Sequence, residues 1–328
     1  MITFPTMSDM KAIISSRFGP PSELEIRVVN RPEPKKNQVL IRVMATSIND
    51  YDWSMVRGRP REFRFLYGFT KPRYPTPGME LSGIIEDVGP DVTKFKKGDE
   101  VYGDISAYGF GTFAEFIAIN ENAIIRKPKS MSFIDAAALP HASLLAYQAL
   151  FKNGNIRDGQ KILINGGGGG VGMLGLQLCK LHQTEVTGVD TGAKLKVMED
   201  LGFDHVIDYK TNNFTKLDQK YDLILDAKSK HSVRSILNVL TKEGKYVSVG
   251  GDTRRILSIA LTGVFTGNRL SLLFLKSNEG LEHIGELYLN DKLKPVIDGP
   301  YSFDQIPWAI QYFGEGRHSG KVVIDMSL

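Results

Sequence analysis

Cysteine is all but missing. Cys179 stands alone among 328 residues, which excludes an internal disulfide and any zinc site built from several cysteines. It also fits a reducing compartment. Long apolar runs are absent too. None reaches membrane-spanning length, and the opening MITFPTMSDMKAIISS lacks the unbroken apolar core of a secretion signal. Nor does one sign of charge dominate: 41 basic against 37 acidic residues leave a formal net charge of +4. With no dense Lys/Arg block, nothing points to nucleic acid. These absences lead us to expect a cytoplasmic protein with no membrane or nucleic-acid partner.

What is present is ordinary for a globular chain, 42% hydrophobic and 24% charged, and its length favours two domains. Residues 1–127 hold short β-rich runs (LEIRVV, QVLIRVMAT, SGIIEDV, DEVYG, TFAEFIAI) separated by Pro- and Gly-containing breaks. That pattern predicts a mostly β barrel or sandwich. After Pro128 the rhythm changes. SFIDAAALPHASLLAYQAL reads as helix divided at Pro140. Strands KILIN, EVTGVD, HVID, YDLILDA and KYVSVG then alternate with helices VGMLGLQLCKLHQ, KLKVMEDLG and VRSILNVLT. This alternation predicts a parallel sheet wound on both faces. RLSLLFL offers a sixth strand, EGLEHIGELYLN a further helix, and the tail returns to strand–turn–helix–strand.

The stretch INGGGGGVGMLG, from Ile164, poses the main question of local chemistry. A flexible tether would lie between polar, aperiodic flanks. Here an apolar strand, Lys161 to Asn165, precedes the glycines. Val171, Leu174, Leu178 and Leu181 then follow at helical spacing. Each glycine costs roughly 0.5–1 kcal/mol against alanine in a regular element, so five in succession need a reason. Strand–glycines–helix is the first turn of a dinucleotide-binding unit, where amides at the helix start receive a pyrophosphate; a tight structural turn is the plainer alternative. Gly167/Gly169/Gly172 and Gly170/Gly172/Gly175 both satisfy G-x-G-x-x-G. The first is preferred because it opens directly after the strand, with Gly170 and Val171 inside it. No Lys-Ser/Thr follows, which excludes a mononucleotide P-loop. The second strand ends in Asp190, where the fingerprint wants an acid.

With SIND and Tyr51-Asp52, PTPGMELSGIIEDVGPDVTKFKKGDEVYG, GTFAEF, AAALP, GGVG, LGFDHVIDY and the closing GKVVI, the chain resembles the medium-chain dehydrogenase/reductases. Within them it is similar to the zinc-free quinone oxidoreductase, or zeta-crystallin-like, branch. The resemblance runs from about Met10 to the C-terminus. It implies an α/β protein: a GroES-like β-barrel catalytic domain (1–127 and 293–328) and a Rossmann domain (128–292). In zinc-dependent relatives the catalytic metal is held at positions that here carry Asn49, Met79 and His141, and the structural-zinc cysteines are absent. That is a poor set for zinc. The resemblance therefore implies zinc-independent hydride transfer from NAD(P)H to a quinone or an α,β-unsaturated carbonyl. Alternatives are an alcohol or aldehyde dehydrogenase of the same fold, or a non-enzymatic nucleotide-binding scaffold.

By the same resemblance, Asn49 would donate its amide to the acceptor carbonyl, with an asparagine merely holding a turn as the alternative. Asp52 would tie the neighbouring loop rather than move a proton. His141 would protonate the reduced acceptor, unless it only packs or caps; solvent or Tyr51 could then do that work. Leu145, two residues before Tyr147, replaces a threonine usual in the family and leaves an apolar wall. The interleaved basic and aromatic stretch VRGRPREFRFLYGFTKPRYP reads as a solvated loop or as a contact for an anionic or ring-shaped substrate. Cofactor choice is contested. Asp190 favours NAD(H), whereas Lys194 and Tyr209 match residues that grip the 2′-phosphate, and Lys196 adds charge; the balance leans to NADPH, with NADH possible. Gly250 would admit the nicotinamide end close to the backbone. A homodimer joined through RLSLLFL is the family's habit.

Overall fold

Strands form where apolar side chains alternate or run together. In the computed structural model, which describes residues 9–251, 253–267 and 269–328, they are, in chain order, β1 (Asp9–Ile14), β2 (Glu25–Asn30), β3 (Gln38–Ser47), β4 (Glu80–Val88), β5 (Glu100–Asp104), β6 (Phe116–Asn120), β7 (Ile125–Arg126), β8 (Lys161–Asn165), β9 (Glu185–Asp190), β10 (His205–Asp208), β11 (Tyr221–Asp226), β12 (Leu240–Ser248), β13 (Leu270–Leu272), β14 (Ile297–Ser302) and β15 (Lys321–Asp325). The first eight residues, part of the segment read for a secretion signal, lie outside the described residues. No described helix is long and apolar enough to cross a membrane.

The chain divides into two compact units. One holds the described residues up to His141 together with Lys276–Leu289 and Ile297–Leu328; the other holds Ala142–Leu275 and Asn290–Val296. Against the expected division at 127/128 and 292/293, residues 128–141 and 276–289 therefore stay with the first unit and residues 293–296 with the second. The contacts give the reason. Ala137 and Ala138 are wholly buried with Ala45 and Val323. Tyr288 Oη donates to Asp135 Oδ2 at 2.7 Å, and the Asn278 amide donates to the Asp104 and Ala123 carbonyls at 3.0 and 2.9 Å.

In the first unit a seven-stranded sheet runs β14-β15-β3-β4-β5-β7, with β6 also on β3. All pairs are antiparallel except β14 with β15. Strand β3 organises it: Val39, Ile41 and Val43 point into a core with Leu81, Ile85 and Val101. Each such buried aliphatic side chain contributes roughly 1.5–3 kcal/mol. The sequence reading left no helix here, yet Asp50–Arg57 is one, closed by Gly58 in the left-handed region (φ 56°). Eight residues are too few to display a helical period against flanking strands.

The second unit is a six-stranded sheet, β10-β9-β8-β11-β12-β13, parallel throughout. Counting from β8, this is the order 3-2-1-4-5-6 of dinucleotide-binding folds. Successive residues Ile162, Leu163 and Ile164 are all buried, so both faces of the sheet are covered. Pro140 opens the helix Pro140–Tyr147 and separates it from Phe133–Ala138. Two elements are shorter than the sequence suggests: the helix in VRSILNVLT spans only Val233–Leu237, and the strand in RLSLLFL only Leu270–Leu272. The helix Thr253–Phe265 was not anticipated.

Candidate functional site

Strand ends (Glu80, Asp104, Lys321) and two helix starts (Asn49 and Asp52, and His141) of the first unit bring six polar side chains into its interior, none more than 6% exposed. Burying an unpaired charge costs several kcal/mol, and each of these is paired. Lys321 Nζ lies 2.7 Å from Glu80 Oε1 and donates to Asn49 Oδ1 at 2.7 Å. Ser47 Oγ also donates to Glu80 Oε1. The other Glu80 oxygen accepts the His141 backbone N–H at 2.8 Å. Asp52 accepts the Asn49 N–H on Oδ2 at 2.8 Å and the Gly78 N–H on Oδ1 at 3.0 Å. It thereby clips the start of helix Asp50–Arg57 to the loop before β4. Burial pushes the Asp52 carboxyl up to about 7, against the pull of those two hydrogen bonds.

His141 Nδ1 and Asp104 Oδ2 are 2.8 Å apart. Burial works to lower the imidazole pKa, but the hydrogen bond and charge of Asp104, with Glu80 beyond, outweigh it and leave His141 above its ordinary value. Burial likewise works to raise Asp104, yet the imidazole and Ser106 hold it below the usual carboxylate range. Tyr51 stands edge-on to the His141 ring, centroids 5.8 Å apart, and edge-on to Tyr67 at 6.2 Å. Burial first, then Asp104, raises the Tyr51 hydroxyl. The basic and aromatic stretch is partly engaged within the fold. Arg57 stacks over Trp53 at 4.0 Å and Arg64 over Phe18 at 4.6 Å, whereas Phe65 and Phe69 are exposed.

The three positions that carry zinc in metal-dependent relatives do not fit that ion. Asn49 offers an amide oxygen already bound by an ammonium group, and Met79 offers a buried thioether. His141 binds Asp104 through Nδ1, which leaves its Nε2 as the one good zinc donor among the three positions. Among the described residues no group of three or more His, Cys, Asp or Glu side chains could hold a metal ion.

In the second unit, the glycine turn joins β8 to the helix Gly170–Cys179, whose N-cap is Gly169. Backbone crowding explains the glycines. A Cβ on Gly172 would stand 2.3 Å from the Gly166 carbonyl oxygen and 2.5 Å from Gly167 Cα. One on Gly167 would meet Met198 Cε at 2.6 Å and Gly188 Cα at 3.3 Å. These are the close approaches that G-x-G-x-x-G requires, and they suit the register Gly167/Gly169/Gly172. With its amides at a helix start, the turn fits a dinucleotide pyrophosphate.

Asp190 is more occupied than its sequence position suggests. Oδ2 accepts the Gly168 N–H and Oδ1 the Thr191 N–H, both at 3.0 Å, and Lys194 Nζ is 3.8 Å from Oδ1. The carboxylate thus braces the glycine turn. Tyr209 is exposed, its N–H bonded to the Asp190 carbonyl at 3.1 Å. Lys196 is paired on the surface with Asp200. The Gly250 carbonyl accepts from Ser229 Oγ at 2.7 Å, and the space where its side chain would be is open.

Asn49, Asp52 and His141 thus belong to one network, and Glu80, Asp104 and Lys321, which the sequence reading missed, complete it. The available signal was a charged residue inside apolar strand motifs, GMEL and GKVVI, since Lys and Glu are almost never fully buried unless paired.

Residues 35–129 match the family model for an alcohol dehydrogenase GroES-like domain, and residues 201–324 that for a zinc-binding dehydrogenase. The 2-methylene-furan-3-one reductase of Solanum lycopersicum is 35% identical, covering 97% of this chain and 79% of the relative. The NADPH-dependent alkenal/one oxidoreductase, chloroplastic, of Arabidopsis thaliana is 31% identical, over 96% of this chain and 79% of the relative. Among solved structures, the quinone oxidoreductase from Coxiella burnetii superposes with a TM-score of 0.85 at 28% identity, covering 97% of this chain and 99% of that one.

Proposed function

This chain belongs to the quinone oxidoreductase branch of the medium-chain dehydrogenase/reductase superfamily, and on that premise we propose that it reduces quinones or α,β-unsaturated carbonyls with NAD(P)H. The observation that carries the reading is near-full-length likeness to a methylene-furanone reductase and an alkenal/one oxidoreductase. When bound, the reduced nicotinamide supplies the hydride. Asn49 donates an amide N–H to the acceptor oxygen, where negative charge develops. The proposed reaction uses no zinc, because an amide oxygen already bound by an ammonium group, a thioether and a single imidazole make a poor ligand set for that ion.

For the cofactor we favour NADPH. The glycine turn from Gly167 to Gly172 holds the pyrophosphate, and Gly250 leaves room at the nicotinamide side. Asp190 accepts the Gly168 and Thr191 backbone N–H groups and has Lys194 beside it, which leaves it less available to the ribose hydroxyls of NADH. Lys194 and Tyr209 then meet the 2′-phosphate. A dimer joined along the edge strand β13 is part of the same proposal. The test is to mix the protein with NADPH or NADH and a panel of quinones and enones, following loss of the reduced-nicotinamide absorbance. Turnover with higher kcat/KM for NADPH is expected. Nucleotide binding without turnover on any acceptor would instead favour a non-enzymatic scaffold.

His141 is the proposed proton donor to the reduced acceptor, with Asp104 fixing its ring. Because hydrogen bonding and charge from Asp104 raise its pKa, the imidazolium persists to higher pH than that of an ordinary histidine, and turnover should fall as pH rises through the raised value. His141→Ala should lose roughly 10²-fold in kcat, the lower end for general acid catalysis, and lose the alkaline limb of the profile. A His141→Ala variant that kept wild-type turnover from pH about 6 to 8, where histidine ordinarily titrates, would pass the role to Tyr51 or water.

A further inference from the structure

We infer that Lys321, braced by Glu80, is a positioning residue that fixes which end of the Asn49 carboxamide meets the acceptor. The inference rests on the proposed role of Asn49 and adds to it a residue outside the reacting groups. Strand register brings the three together. β3 and β15 are antiparallel with Ser47 opposite Val323, so extending that pairing by two residues sets Asn49 across from Lys321. On the other side of β3, Thr46 pairs with Leu81, which sets Ser47 across from Glu80.

A lysine ammonium has three donors and no acceptor. The Asn49 atom 2.7 Å from Lys321 Nζ is therefore the oxygen, and a turned amide would oppose donor to donor in a buried site. The backbone cannot relieve this, because the Asn49 N–H is spent on Asp52 and the Ile48 N–H on the Val322 carbonyl at 2.9 Å. Nδ2 is left with one long contact, to the Ser47 carbonyl at 3.4 Å. Its other hydrogen has no protein acceptor among the described residues. The ammonium also draws electron density from the amide oxygen, which strengthens the N–H as a donor. Glu80 keeps Lys321 in place with its Oε1 and is itself held by Ser47 and the His141 N–H.

The experiment combines kinetics with a signal that does not depend on turnover. Lys321→Met keeps the apolar stem and removes the charge. It should lower kcat by about 10²-fold, as for loss of one aimed donor, with the KM for NADPH unchanged. Added to Asn49→Ala it should cause no further loss, and Lys321→Arg should recover part of the rate. In the amide NMR spectrum the Asn49 side-chain pair, identified by its disappearance in Asn49→Ala, should shift in Lys321→Met. Should Lys321→Met fail to fold with Glu80 unpaired, Glu80→Gln/Lys321→Met keeps the site neutral and is read the same way. Multiplicative losses for Lys321→Met and Asn49→Ala, or an unmoved amide signal, would overturn the inference. A wild-type protein inactive on every quinone and enone would sink the functional reading instead, while the amide signal would still decide whether Lys321 orients Asn49.

Discussion

Asn49→Ala is expected to reduce kcat by roughly 10²–10³-fold, the usual cost of one preorganised donor to a developing oxyanion. Reduction of a quinone or an enone places negative charge on the acceptor oxygen in the transition state. A donor held beforehand stabilises that charge without reorganising, and does so more strongly where water is excluded. Asn49 meets both conditions: it is 4% exposed, and its backbone N–H and amide oxygen are bound to Asp52 and Lys321. The kinetic signature matters as much as the size. NADPH affinity, measured by titration, should be unchanged, because the glycine turn proposed to hold the nucleotide belongs to the other unit. Asn49→Asp should not rescue the rate, since a carboxylate offers no donor and adds like charge. Wild-type kcat in Asn49→Ala would remove the amide from the chemistry and leave it the plain holder of a turn.

Gly172→Val should be as damaging by a different route, through the fold. The Cβ would fall 2.3 Å from the Gly166 carbonyl oxygen and 2.5 Å from Gly167 Cα, both backbone atoms that cannot swing aside. The helix Gly170–Cys179 would have to lift from the turn. Overpacking of this kind typically costs about 1–3 kcal/mol, and more where the obstacle is rigid. Lifting the helix also turns its first amides away from the proposed pyrophosphate position. Nucleotide affinity should therefore fall by at least about 10-fold, or ~1.4 kcal/mol, along with a lower thermal midpoint. Gly175→Ala is the matched control. Its nearest obstacle is the end of a side chain, Leu225 Cδ2 at 3.3 Å, so the change should stay within about 1 kcal/mol. Equal nucleotide affinity in Gly172→Val and the wild type would place the pyrophosphate elsewhere.

Much of the second unit was legible from residue order because its signals are local. The apolar run of β8, the glycines and the spacing of Leu174 and Leu178 lie within twenty residues, and a βαβ unit is assembled from neighbours in sequence. The division at Pro140 was likewise written in one residue. The helix Thr253–Phe265 was missed although Asp252 and Thr253 are residue types that open helices, and Asp50–Arg57 because it is short.

On its own, the order of residues determined the alternating second unit, the turn that needs glycine, and the lack of a zinc site built from several cysteines. Tertiary structure alone decided that Glu80, Asp104 and Lys321 meet Asn49 and His141, and that one oxygen of Asp190 turns inward to brace the glycine turn at Gly168. The physical reason is range. A turn or helix is chosen by residues a few places apart. A buried ion pair is chosen by the register of strands hundreds of residues apart, and low dielectric then obliges every charge carried inside to find its partner there.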